Sequence, residues 1–139
     1  ASTAPEHYAT LFFGVYDDAA RVLRYANCGH NPPIALSLGG TCTRLPSNAP
    51  AMGLLENWRA ATGTVAIAPG EVLLLFSDGV TEAGRSRSDE FGEGRLLEAL
   101  RSRRRLPMDE LLPSLVGAVE AHAGVAHEDD LTLVGLRGL

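Results

Sequence analysis

The sequence contains no lysine. All twelve basic side chains are arginine, against seventeen acidic ones, for a net charge of −5. We read the missing lysine as the imprint of a GC-rich coding sequence. The acidic balance disfavours non-specific nucleic-acid binding, which depends on neutralising phosphates. Cysteine is scarce as well. Cys28 and Cys42 alone make neither a disulfide framework nor a structural zinc site. They could pair with each other, but two reduced, buried thiols in a cytoplasmic protein is the simpler expectation. Long apolar runs are absent too: the longest strongly apolar stretch, Val72 to Phe76, has five residues, against ~20 for a membrane-spanning helix. The first ten residues (ASTAPEHYAT) have neither the basic start nor the apolar centre of a secretory signal. No membrane association is expected.

What is present is enough for one core. With 139 residues and 45% hydrophobic side chains, the chain is the size of a single domain or part of one. The first two thirds predict strands. Ala9 to Tyr16 is apolar on both alternating faces, which predicts a central strand, and Asp17 to Ala20 turns it into a partner over Val22 to Ala26. Ile34 to Leu38 and Thr41 to Leu45 flank Gly39-Gly40, the residue pair that suits a two-residue hairpin turn. Trp58 to Ile67 predicts another strand, and Glu71 to Phe76 a fully buried one.

After Asp78 the period changes. Leu96, Leu97 and Leu100 predict a helix ended by the RSRRR run at 101–105, whose positive charge complements the helix dipole. That placement explains the arginines better than a nucleic-acid site does. Leu111, Leu112, Leu115, Val116 and Val119 make a second amphipathic stripe, in which Pro113 implies either a kink or a later helix start. Leu131 to Leu136 predicts a closing strand. Many strands, two helices and a last strand make an α+β domain dominated by antiparallel sheet.

Three carboxylates are not explained by turns or helix surfaces: Asp78, Glu82 and Asp129, with Asp130 beside the last. Asp78 ends the most apolar strand and is followed by Gly79. A buried charge there is costly unless paired or metal-bound; a helix-capping role for Ser77 or Asp78 is the competing reading. His127-Glu128-Asp129-Asp130 opens the final strand, where neighbouring side chains point to opposite faces, so one aspartate joins a site and the other supports it. If the final strand lies beside Glu71–Phe76, carboxylates from both meet at one sheet end. Close carboxylates repel unless they share a proton or a cation, and hard oxygen ligands select Mg2+ or Mn2+ over zinc.

The strings ATLFFGVYD, RYANCGHNPP, PGEVLLLFSDGVTEA, DEFGEGRL and HEDDLTLVGLR, in this order, resemble the C-terminal part of a PPM-type serine/threonine phosphatase of the SpoIIE/RsbU subgroup, from about Tyr8 to Arg137. The resemblance implies a sandwich of two antiparallel sheets flanked by helices. It also implies a binuclear Mn2+ or Mg2+ centre whose bridging water attacks phosphorus without a phosphoenzyme. The family's Asp-Gly motif falls on Asp78, a metal ligand, and Gly79. Its late Asp-Asp/Asn motif falls on Asp129, a ligand, with Asp130 supporting. Glu82 occupies the place of an acidic ligand to a third, weaker metal. His30 stands where some members have an aspartate for that metal, so it either ligates or orders its loop. Cys28 replaces the subgroup's usual alanine and reads as a small buried residue.

The family's early Gly-Asp motif, which bridges both metals, has no match. The acidic residues before Asp78 are Glu6, Asp17, Asp18, Glu56 and Glu71, and Asp17-Asp18 fits a turn. Residues 1–139 are therefore expected to be the C-terminal portion of an incomplete domain, with the N-terminal strands and helices missing, inactive alone and prone to self-association through exposed sheet edges. The function implied for the parent is bacterial and cytoplasmic. It is metal-dependent dephosphorylation of a protein, with an anti-sigma-factor antagonist as the substrate class of the subgroup. The alternative is a catalytically inert PPM-like regulatory or protein-binding module. A serine hydrolase built on Ser77 is disfavoured because the Gly-x-Ser-x-Gly elbow is absent.

Overall fold

A computed structural model of the chain describes residues 9–53, 56–57, 59–124 and 130–139. β1 (Leu11–Asp17) and β2 (Val22–Cys28) form a regular hairpin, with Leu11 opposite Cys28 and Asp17 opposite Val22. Asp17 holds its turn by accepting the Ala20 N–H through Oδ1 at 3.0 Å, the local bond that suits aspartate to turns. β5 (Gly63–Ala66) pairs with the other side of β2. It is shorter than the Trp58–Ile67 pattern predicts, and Trp58 itself lies outside the described residues. The second sheet has the order β4-β3-β6-β7, made of β3 (Ile34–Leu36), β4 (Cys42–Arg44), β6 (Val72–Phe76) and β7 (Leu133–Arg137), all antiparallel.

The five apolar residues of β6 serve two cores because successive side chains point to opposite faces. Leu73 and Leu75 face the first sheet, among Leu23, Leu45 and Ile67. Val72, Leu74 and Phe76 face a helical layer. That layer is α2 (Gly92–Arg103) and α3 (Met108–Ala123), which bury Leu96, Leu100, Leu111, Leu115 and Val119 against the sheet. Each such leucine contributes about 1.5–3 kcal/mol by leaving water. A short α1 (Asp78–Thr81) and a 3-10 turn at Arg87–Asp89 link β6 to α2. Pro113 neither delays nor ends α3, which begins at Met108 and continues past it. The arginine run is structural. Arg101 Nε donates to the Gly40 carbonyl at 3.0 Å, Arg104 Nε to the Leu38 carbonyl at 2.9 Å, and Arg103 Nε to Ser114 Oγ at 2.7 Å.

Two expectations are corrected. β1 is not central. Among the described residues it is the edge of its sheet, and its outward face is bare: Phe13 is 60% and Val15 59% exposed. Apolar residues on both faces show that both faces seek cover, not that this chain covers them. The second correction concerns the β3–β4 turn, which centres on Leu38-Gly39 with Gly40 N–H bonded to the Ser37 carbonyl at 3.0 Å. Gly40 follows with φ +91°, the left-handed residue that closes a three-residue hairpin loop.

Candidate functional site

β6 and β7 bring the site together. Phe76 pairs with Leu133. One step on, Ser77 N–H donates to the Thr132 carbonyl at 3.1 Å, and Ser77 Oγ accepts the Thr132 N–H at 3.2 Å. Ser77 is thus bound into the end of the ladder and is no free nucleophile. The chain then turns into α1 with Asp78 as its first residue. Neither side chain serves as the expected cap. Ser77 holds the N-cap position without a side-chain bond to the helix it precedes, and Asp78 Oδ1 accepts a hydrogen bond from Asn31 Nδ2 at 2.6 Å.

Gly79 is needed for space. A Cβ on it would stand 2.1 Å from the Asp130 carbonyl oxygen, so the segment entering β7 crosses directly over this residue. The consequence is an open cleft of about 430 Å3 at the sheet end, lined by Ser77, Asp78, Gly79, Glu82, Asp130 and Thr132. Asp78, Glu82 and Asp130 therefore line one cleft. Asp129 lies outside the described residues. The three carboxylates are exposed, which corrects the expectation that Asp78 is a buried charge. Its placement follows from the strand end and the Asn31 bond, not from a desolvation penalty. None of the three forms an ion pair with a described residue. A neighbouring cavity of about 480 Å3 shares Glu82 and adds Arg85, Arg87 and Glu90, so guanidinium groups stand beside the carboxylate cleft.

The donor set fits a hard divalent cation in type, being carboxylate oxygen on an open surface. In number it falls short. Among the described residues no three of His, Cys, Asp or Glu gather closely enough to hold an ion. His30 does not turn toward the carboxylates with its Nδ1, which lies 2.8 Å from the Asn31 carbonyl within its own loop. Asn31 is the loop residue that reaches Asp78. Sequence spacing gave no sign of this, because asparagine between histidine and proline reads as ordinary turn chemistry.

Residues 1–138 match the family model described as Stage II sporulation protein E (SpoIIE). Protein IcfG of Synechocystis sp. is 36% identical over 132 residues, which is 93% of this chain and 20% of that protein. The SiaA-PP2C domain of Pseudomonas aeruginosa superimposes with a TM-score of 0.70 at 26% identity, over 85% of this chain and 47% of that one. The phosphatase domain of the cell fate determinant SpoIIE from Bacillus subtilis, Mn presoaked, gives a TM-score of 0.69 at 16% identity over 92% and 56%. The RsbU and RsbW domains of a Mycobacterium tuberculosis protein give 0.74 at 18% over 91% and 36%. The chain thus spans a fifth of the curated relative and about half, or less, of these solved chains.

Proposed function

Because the chain belongs to the family described as Stage II sporulation protein E, a PP2C-type phosphatase-domain family, we propose that it is the C-terminal portion of a metal-dependent phosphoserine/phosphothreonine protein phosphatase. The observation that carries this reading is the crossing of the Asp130 backbone over Gly79, which puts Asp78 and Asp130 at one sheet end. In this reading Asp78 and Asp129 ligate Mn2+ or Mg2+, Glu82 serves a weaker third ion, and Asp130 supports the segment. His30 orders its loop through the Asn31 carbonyl. The remaining ligands come from polypeptide outside these 139 residues. Metal bound there supplies charge neutralisation for a phosphoryl group and an acidified water. The chain's own part is to hold Asp78 in a fixed orientation and to keep the cleft open to a phosphorylated side chain.

Likeness to RsbU and RsbW domains supports a phosphorylated anti-sigma-factor antagonist as the substrate class. No helix among the described residues is long and apolar enough to cross a membrane, which is compatible with a cytoplasmic site of action. The test is phosphate release from a phosphoserine protein by the full-length protein, with Mn2+ and with chelator. Release that requires Mn2+ supports the reading. Release unaffected by chelator overturns the metal dependence, and no release at all favours the inert binding module.

The bare face of β1 makes a separate prediction for the 139-residue chain. Leu11, Phe13 and Val15 form an exposed apolar stripe on an edge strand, the arrangement that templates unwanted pairing. Phe13→Glu is expected to raise the concentration at which the isolated chain self-associates by about tenfold, as follows from withdrawing roughly 1.5 kcal/mol of apolar burial. Sedimentation velocity over a dilution series reads this. A chain that stays monomeric in both forms refutes it.

A further inference from the structure

Asn27 is the buried polar side chain of the described residues, with no exposed surface. It is the penultimate residue of β2, and its side-chain amide and backbone groups are all hydrogen-bonded. Its Nδ2 donates to the Leu45 carbonyl at 3.0 Å, and its Oδ1 accepts the His30 N–H at 2.8 Å. Its own N–H donates to Asn48 Oδ1 at 2.8 Å, and its carbonyl accepts from Asn48 N–H, Ala49 N–H and Ser47 Oγ. A buried amide with both ends occupied has one orientation, and it imposes one path on the backbone bonded to it. That path is the loop 28–31. Gly29 takes φ +77° and donates its N–H to Ser47 Oγ at 3.1 Å, and the His30 ring closes on the Asn31 carbonyl.

The Asn31 side-chain amide, by contrast, leaves the loop and meets Asp78 Oδ1. An N–H bonded to a carboxylate is a charge-assisted contact and fixes the carboxylate's rotation. An amide cannot neutralise the carboxylate as a guanidinium would, so the full negative charge stays available. Among the described residues Asp78 Oδ2 has no hydrogen-bond partner.

We propose that Asn31 is the positioning residue of the site: anchored through the buried Asn27, it locks the Asp78 carboxylate in the orientation that binds a divalent cation, leaving Oδ2 to the ion. The proposal rests on the reading of Asp78 as a metal ligand. It assigns the loop's contribution to Asn31 in place of His30. Partners that orient a metal-binding side chain are worth about 10–100-fold in metal affinity.

The experiment uses the full-length protein in two measurements. In metal-free protein, the Asn31 side-chain amide protons should show a shifted NMR resonance that returns to the solvent-exposed position in Asp78→Ala. In Mn2+ titrations by calorimetry, Asn31→Ala and the nearly isosteric Asn31→Leu should each weaken binding about tenfold with unchanged thermal midpoints, while kcat at saturating Mn2+ largely recovers. A recovery of that kind is not produced by general unfolding of the loop. The proposal is overturned if the amide resonance is indifferent to Asp78, if both Asn31 variants bind Mn2+ like the parent, or if His30→Ala weakens binding more than they do. A parent protein with the amide contact but no Mn2+ affinity overturns the metal reading first and the proposal with it. Loss of the contact with Mn2+ affinity intact overturns the proposal alone.

Discussion

Asp78→Asn in the full-length protein is expected to lower Mn2+-dependent phosphoserine hydrolysis by about a hundredfold or more while leaving the thermal midpoint essentially unchanged. The substitution keeps the shape of the side chain and an oxygen able to accept from Asn31 Nδ2, the contact now at 2.6 Å. What it removes is the charge. If that charge binds metal, losing it removes several kcal/mol of stabilisation from the developing phosphoryl charge, and ~2.7 kcal/mol already amounts to a hundredfold. Stability should barely move, because Asp78 is exposed and forms no ion pair with a described residue. Surface substitutions of that kind usually stay within about 0.5 kcal/mol. Relief of repulsion from Glu82 and Asp130 across the cleft acts in the stabilising direction. Initial rates over a Mn2+ series, with a melting curve for each protein, separate the two effects. Unchanged activity removes Asp78 from the ligand set. A fall that tracks a lowered melting temperature makes it structural.

Much of the fold was legible because periodicity and burial agree wherever both faces of an element are covered by this chain. The run Val72–Phe76 reads as a buried strand and is one, with alternate residues in the two cores. The leucine stripes of α2 and α3 are legible for the same reason. β1 shows the limit of that inference. Phe12 and Tyr16 pack between the sheets as their alternation implies, but Phe13 and Val15 carry the same signal on a face that no described residue covers. Hydrophobicity encodes a demand for cover and is silent about who supplies it.

The site was legible at the level of strands and less so at the level of atoms. Pairing of β6 with β7 was a conditional inference from strand-end carboxylates; the register of Phe76 on Leu133 brings Asp78 and Asp130 to one cleft, while Asp129 lies outside the described residues. The claim that Asp78 needed a cation because it was buried failed, since local apolarity of the strand says little about exposure one residue past its end. His30 drew attention as the loop's ionisable group. The residue that reaches Asp78 is the next one along, in a loop held by the inward bonds of Asn27, whose partners Leu45 and Asn48 lie far away in sequence. No spacing rule contains those partners.

Gly79 offers the sharpest test of the geometry, because its role is independent of any ion. Its φ is not in the left-handed region, so alanine is conformationally admissible there and only space decides. The added Cβ would sit 2.1 Å from the Asp130 carbonyl oxygen and 3.1 Å from its carbon. Both are backbone atoms, so no rotamer change relieves the clash. Either α1 or the segment entering β7 must move by about 1 Å to restore contact distance, and the Ser77–Thr132 bonds at 3.1 and 3.2 Å lie directly in that path. Overpacking of this kind costs about 1–3 kcal/mol, and a misplacement of about 1 Å at a reacting centre costs on the order of a hundredfold in rate. Gly79→Ala should therefore lose both stability and Mn2+-dependent turnover. Gly94→Ala is its counterpart: Gly94 lies within α2 with nothing within 4 Å of a new Cβ, so the change should stabilise the protein by about 0.5–1 kcal/mol. Denaturant midpoints of the two variants should thus move in opposite directions. If Gly79→Ala melts like the parent, the segment at Asp130 does not cross over Gly79, and the convergence of the two strand ends on one cleft fails with it.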